Sequence, residues 1–148
     1  MSVLNSWSQF PPCDFGTTDE DVISLIKSGE LDPNSTDQFG GSILLRAISI
    51  EKLEVVKTLL DYGANPNKII KNEYQVYSPL ILSFNIGNTE ILFTLLEKGA
   101  DPNTVGEGNI SFLQFYKEYK KKRLTDKDVN MIDKYISPGI NIKPKSSK

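Results

Sequence analysis

Apolar residues recur at helical spacing in short segments that polar turns separate. Residues 53–62 and residues 89–98 each carry one apolar stripe, which is typical of a helix with one buried side. The stripes are Leu53, Val56, Leu59 and Leu60 in the first segment and Ile91, Leu92, Leu95 and Leu96 in the second. A further apolar segment precedes each of them, at residues 42–49 and 78–85. The pattern therefore predicts two pairs of short helices.

The predicted helix pairs repeat along the chain. Residues 59–67, with the sequence LLDYGANPN, recur 36 residues later as LLEKGADPN, and residues 25–34 hold a degenerate copy with one extra residue. Ser42 and Ser78 are suited to cap the first helix of each pair, and Gly63 and Gly99 to end the second. An internal repeat of this length indicates a stack of similar units.

The residues at the repeated positions resemble an ankyrin repeat. In the first copy they are Asp37, Gly40, Ser42, Leu44, Ala47, Leu53, Glu54, Val55, Val56, Leu59, Leu60, Gly63, Ala64 and Asn67. In the second they are Ser78, Pro79, Leu80, Gly87, Glu90, Ile91, Leu95, Leu96, Gly99, Ala100, Asp101 and Asn103. The resemblance implies an all-α ankyrin-repeat solenoid of about four helix-turn-helix repeats, with two well-formed central repeats between degenerate caps.

We expect residues 1–148 to form a single ankyrin-repeat domain. Its predicted parts are an N-terminal cap repeat (17–36), two central repeats (37–68 and 69–103), a C-terminal cap repeat (104–142) and a tail (143–148). Trp7, Phe10 and Phe15 are interpreted as aromatic cover for the N-terminal end of the stack, in a segment without helix because prolines interrupt it.

Two departures from the family pattern predict structural differences. The 36-residue offset exceeds the usual ankyrin period of about 33 residues, and we place the three extra residues within 71–77, in a lengthened finger. The family's usual histidine is replaced by Leu45 and Ile81. We therefore expect stacking to rely more on apolar contact.

The composition argues against an enzyme. The chain contains no histidine and only one cysteine, Cys13, so it lacks the residues of a Ser/His/Asp triad, a Cys/His pair or a Cys/His zinc site. The carboxylate pairs at residues 19–20 and 126–128 are explained by their position at helix starts. We predict no catalytic residues, cofactor or metal. No long apolar segment or secretory signal is evident, so we expect a cytoplasmic protein that does not contact membranes and is monomeric when free.

The resemblance implies that a protein partner binds the concave face, which is formed by finger tips and first helices. The predicted partner-binding residues are Gln38, Phe39, Gly41, Arg46, Ser49, Ile50, Tyr74, Gln75, Val76, Tyr77, Asn85 and Ile86. For Phe39 and Tyr77, packing between adjacent fingers is an equally good interpretation.

The charge distribution suggests a kind of partner. Residues 1–66 carry ten acidic and four basic side chains, a net charge of −6, whereas residues 67–148 carry nine and thirteen, a net charge of +4. One hypothesis is a non-enzymatic inhibitor, such as an immunity protein whose acidic half binds a basic toxin or nuclease domain. A generic adaptor or effector is the alternative. Nucleic-acid binding through Lys117 to Arg123 ranks lower, since lysines on a capping helix face solvent by default.

Overall fold

The computed structural model describes residues 7–14, 16–37, 40–71, 76–104 and 110–142, and these described residues form seven helices and one short hairpin. The elements are α1 (Asp19–Ser28), α2 (Ile43–Ser49), α3 (Leu53–Asp61), β1 (Ile70–Lys71), β2 (Val76–Tyr77), α4 (Pro79–Ile86), α5 (Thr89–Glu97), α6 (Phe112–Arg123) and α7 (Asp126–Ile142). The two predicted helix pairs are present, with ends within one residue of those expected.

The helices form two layers, because like helices of successive repeats pack together. The first helices α2, α4 and α6 make one layer, and the second helices α1, α3, α5 and α7 make the other. The apolar stripes lie between the layers in one continuous core, where Leu59 and Leu95 are fully buried. The all-α solenoid is thus confirmed.

Side-chain caps explain where the helices begin. The hydroxyls of Ser42 and Ser78 accept from the backbone N–H groups of Leu45 (3.0 Å) and Ile81 (3.5 Å). Thr18 forms a reciprocal capping box with Asp21 at the start of α1. Gly63 and Gly99 follow the second helices with φ of 109° and 98°, a left-handed conformation that closes a helix. These predicted caps and helix ends are confirmed.

The second finger carries the predicted extra residues. Its strands β1 and β2 pair antiparallel, with Ile70 opposite Tyr77. The Pro-Asn turn precedes the next capping serine by eight residues at Asn34 and Asn103, but by eleven at Asn67. The three additional residues therefore lie in this hairpin.

The N-terminal segment occupies the place of a first helix without being one. Trp7 and Phe10 are buried against the end of the stack, and backbone turns bring the Phe10 N–H to Trp7 O (2.9 Å). This part of the predicted aromatic cover is confirmed, whereas Phe15 and the tail 143–148 lie outside the described residues. The division into cap and central repeats stays a prediction.

Polar side chains link the repeats in addition to apolar contact. The Asn34 amide donates to Gly63 O (3.0 Å) and its oxygen accepts from Asn65 N (2.9 Å). Asn67 makes the same two bonds to Gly99 O (3.3 Å) and Asp101 N (2.6 Å). This ladder of asparagine amides was not expected from the sequence, and the expectation that stacking relies more on apolar contact stays a prediction.

The C-terminal pair α6 and α7 completes the stack. Phe112 and Tyr116 of α6 are buried with Phe84, and the Tyr116 hydroxyl donates to Asp133 Oδ1 of α7 at 2.8 Å. Burial and the neighbouring Asp133 carboxylate raise the pKa of Tyr116, so the phenol stays protonated. This pair forms a fourth repeat with a polar outer side.

Candidate protein-binding surface

The predicted partner-binding residues divide into those that the structure describes and those it does not. Gln38, Phe39, Tyr74 and Gln75 lie outside the described residues. Val76 and Tyr77 form strand β2, but only their backbone is described. The described members are Gly41, Arg46, Ser49, Ile50, Asn85 and Ile86. The structure therefore places six of the twelve with their surroundings.

Gly41 has a structural position at the base of the first finger. Its N–H donates to Asp37 Oδ1 (2.9 Å), and its carbonyl accepts from Asp37 N (2.8 Å). A Cβ atom at Gly41 would stand 3.0 Å from the Asp37 carboxylate, which leaves little room for a side chain. Gly41 thus helps to shape the finger.

The helix residues lie on the same side of their layer. Ile50 follows Arg46 by four residues at the end of α2, and Ile86 lies at the corresponding place at the end of α4. Both isoleucines are half-buried, while Ser49 and Asn85 are exposed. Each of these two helices therefore ends in an isoleucine that packs against the core and stays partly exposed.

The N-terminal segment engages one of these residues. Arg46 Nη2 donates to Gln9 Oε1 at 3.1 Å, so the guanidinium is held against the cap. Arg46 therefore marks the polar N-terminal end of this surface.

Three residues that were not among those predicted extend the candidate surface toward the C-terminus. Leu82 occupies the position of Arg46 one repeat later, and Phe115 and Tyr119 occupy the positions of Leu82 and Ile86 on α6. All three are half-buried. Together with Ile50 and Ile86 they form what we call the first-helix stripe: Ile50, Leu82, Ile86, Phe115 and Tyr119. The signal was available, because the capping serine Ser111 follows Ser78 by 33 residues and fixes the alignment.

The C-terminal end of the first-helix stripe is aromatic. The Phe115 ring lies 5.5 Å from Phe84 and 4.8 Å from Tyr119, both edge to face. The Lys122 ammonium stands 5.9 Å from the centre of the Tyr119 ring, within the range of a cation–π contact. These contacts fix two large side chains in place before any partner arrives, which lowers the entropy cost of binding.

The stripe residues offer packing area rather than reactive groups. Burial and the nearby carboxylates of Asp14 and Asp21 raise the pKa of Cys13, which leaves its thiol protonated and a poor nucleophile. Among the described residues, no group of three cysteine, aspartate or glutamate side chains could hold a metal ion.

Two layers of short helices joined by finger-like hairpins define a helical repeat protein that stacks into a solenoid. The chain belongs to the ankyrin repeat family: the family model for ankyrin repeats, described as three copies, matches residues 13–105, more than half of the chain. Ankyrin repeats are generally protein–protein interaction modules, and the family is typically non-enzymatic. The match ends before α6, so the structure alone supplies the third helix pair, α6 and α7.

No curated protein gives a significant match to the chain. Within the described parts of the chain, every helix is too short or too polar to cross a membrane.

Proposed function

We propose that this protein binds a partner protein through the first-helix stripe and the lengthened second finger, and that it inhibits the partner by covering its surface. The observation that carries the proposal is the stripe itself. Five half-buried apolar residues follow one another over three consecutive first helices, on the face that ankyrin repeats use for binding. Aromatic and aliphatic anchors of this kind supply much of the energy of protein interfaces.

The acidic half of the chain supports a basic partner. Residues 1–66 carry a net charge of −6. Two surface cavities in this half are lined by carboxylates, one by Asp14 and Asp21 and the other by Asp32. An immunity protein that neutralises a basic toxin or nuclease domain fits this charge, because opposite charges speed association and orient the encounter.

The charge can be tested by replacing an acidic residue with a basic one, and the residue chosen should make few contacts within the chain. Asp37 holds the N–H of Gly41, and Glu51 accepts from Asn88 Nδ2 of the next repeat (3.1 Å). Glu51 also has a φ of 59°, a left-handed conformation that strains a residue with a Cβ. Within the described residues the Asp32 carboxylate accepts only a local bond, from Asn34 N (2.8 Å), so reversing its charge disturbs the fold least.

The decisive experiment compares two substitutions by arginine in a tagged full-length chain. Ile86→Arg places a charge in the middle of the first-helix stripe, whereas Met131→Arg adds the same charge at an apolar residue of α7 that is 38% exposed and belongs to the second-helix layer. We expect wild type and Met131→Arg to retain the same basic partner at low salt, to release it at high salt and to inhibit its activity. Ile86→Arg should lose both retention and inhibition. Equal retention by the two variants would contradict the proposal.

The nucleic-acid alternative loses part of its basis. Tyr116 lies next to the basic segment Lys117 to Arg123, and its buried ring cannot stack on a base. Lys117 and Lys122 are exposed and remain available to phosphates. Retention of RNA or DNA by wild type and Ile86→Arg alike, lost on Lys117→Glu and Lys122→Glu, would favour this alternative.

A further inference from the structure

Neighbouring second helices contact each other through side chains. We call the place where α1 meets α3 the first seam, the place where α3 meets α5 the second seam, and the place where α5 meets α7 the third seam. The second seam lies between the ends of α3 and α5, where the Lys98 ammonium pairs with the Asp61 carboxylate. The third seam lies between α5 and α7, where the Tyr135 hydroxyl donates to Glu97 Oε2 (3.2 Å). A polar contact between neighbouring repeats closes each of these two seams.

Among the described residues, no ion pair or hydrogen bond between side chains joins the ends of α1 and α3 at the first seam. Lys27 stands there in the position of Asp61, and Tyr62 stands in the position of Lys98. The Tyr62 side chain is 48% exposed and makes no hydrogen bond or ring contact with any described residue. An open cavity of about 450 Å³ lies at this seam, lined in part by Tyr62 and Asp32.

Three features of this cavity favour a bound cation, and one cationic side chain, Lys27, opposes it. Asp32 contributes a carboxylate, and the C-terminal end of α1 at Ser28 carries about half a negative charge from the aligned peptide dipoles. The unpartnered ring of Tyr62 attracts cations through its face. Ile26, Leu31 and Pro33 add apolar walls against which an alkyl stem can pack.

We propose that the first seam is a docking site for a lysine or arginine side chain of the partner protein. This inference rests on the proposed function and names one contact of that interface, on a different surface from the first-helix stripe. The cationic head lies between the Asp32 carboxylate and the Tyr62 ring, both of which line the cavity.

Lys27 limits the affinity of this site. It is the one cationic side chain among the residues that line the cavity, and its ammonium is not ion-paired with Asp32 in the structure. A bound cation is repelled by it. Lys27→Asp would give the first seam the same acid that Asp61 provides at the second seam, and it should strengthen cation binding.

The test is a titration of the ¹⁵N-labelled full-length chain with N-acetyl-arginine methylamide, followed by the amide signals of Gly29, Leu31 and Asp32. We expect saturable shifts in wild type. Tyr62→Ala and Asp32→Asn should each weaken binding about two- to fivefold, and Lys27→Asp should tighten it. Asp101→Asn is the matched control, because Asp101 occupies the position of Asp32 two repeats later and accepts the same local bond from Asn103 N (2.8 Å).

Three results would overturn the inference: no shift at these amides, equal effects of Asp32→Asn and Asp101→Asn, or preferential binding of N-acetyl-glutamate methylamide that Lys27→Asp abolishes. The Ile86→Arg variant should bind the arginine compound as wild type does. If the titration fails, the seam site is rejected but the proposed role of the first-helix stripe is not. If the stripe does not bind a partner, the result of the titration does not change.

Discussion

At the scale of a single residue, Asp19 of α1 joins the N-terminal segment to the residue that precedes α3. Its carboxylate accepts from Trp7 Nε1 (3.0 Å) and pairs with Lys52 Nζ (3.0 Å). Partial burial opposes ionisation, but the bonds from Trp7 and Lys52 outweigh it and lower the pKa of Asp19. The sequence predicted only an acid favourable at a helix start, because nothing in the local pattern shows that residues 7 and 52 meet at residue 19.

This lowered pKa predicts how stability depends on pH. The contribution of ionised Asp19 is fully present above the pKa of an unfolded aspartate, about 3.9, and disappears as the pH falls through the lower folded pKa. Because the pair is partly exposed, Asp19→Asn should lower the free energy of unfolding at pH 7 by at most about 1 kcal/mol.

Urea unfolding monitored by the fluorescence of Trp7, the chain's single tryptophan, measures this difference. The gap between wild type and Asp19→Asn should close in acid and narrow in high salt. A gap of the same size at pH 7 and near pH 2.5 would show that ionisation of Asp19 does not contribute.

At the scale of elements, the Pro-Asn turn that ends each repeat acts differently along the stack. Asn34 and Asn67 each make two hydrogen bonds to the next turn, whereas the exposed Asn103 side chain makes none with the described residues. The sequence shows the three asparagines as equivalent. Their side chains differ because only Asn34 and Asn67 bond to a following Pro-Asn turn, and the structure is needed to show this.

This difference yields a prediction about stability. Asn67→Ala removes two bonds between repeats and should cost about 1–2 kcal/mol of unfolding free energy. Asn103→Ala, the matched control, should cost close to nothing. Chemical unfolding followed by circular dichroism compares them, and equal losses from the two variants would mean that the asparagine ladder does not hold the repeats together.

At the scale of the whole molecule, the fold was easier to predict than the binding surface. Caps, stripes and the repeat offset are local features, and stacked repeats depend mainly on contacts between neighbours, so the solenoid followed from them. The surface combines residues of three helices. Phe115 and Tyr119 lie in the C-terminal part, where the repeat pattern is weak and only the spacing of Ser111 from Ser78 aligns them with Leu82 and Ile86.

The central claim, that the first-helix stripe contacts a partner protein, is tested most directly by site-specific photo-crosslinking. Benzoyl-phenylalanine replaces Ile86 or Tyr119 on the stripe, or Met131 of α7 as the exposed control in the second-helix layer, in the cells that make the protein. The account predicts that one and the same partner is crosslinked from positions 86 and 119 and not from 131. Crosslinks from position 131 alone, with none from the stripe, would contradict it.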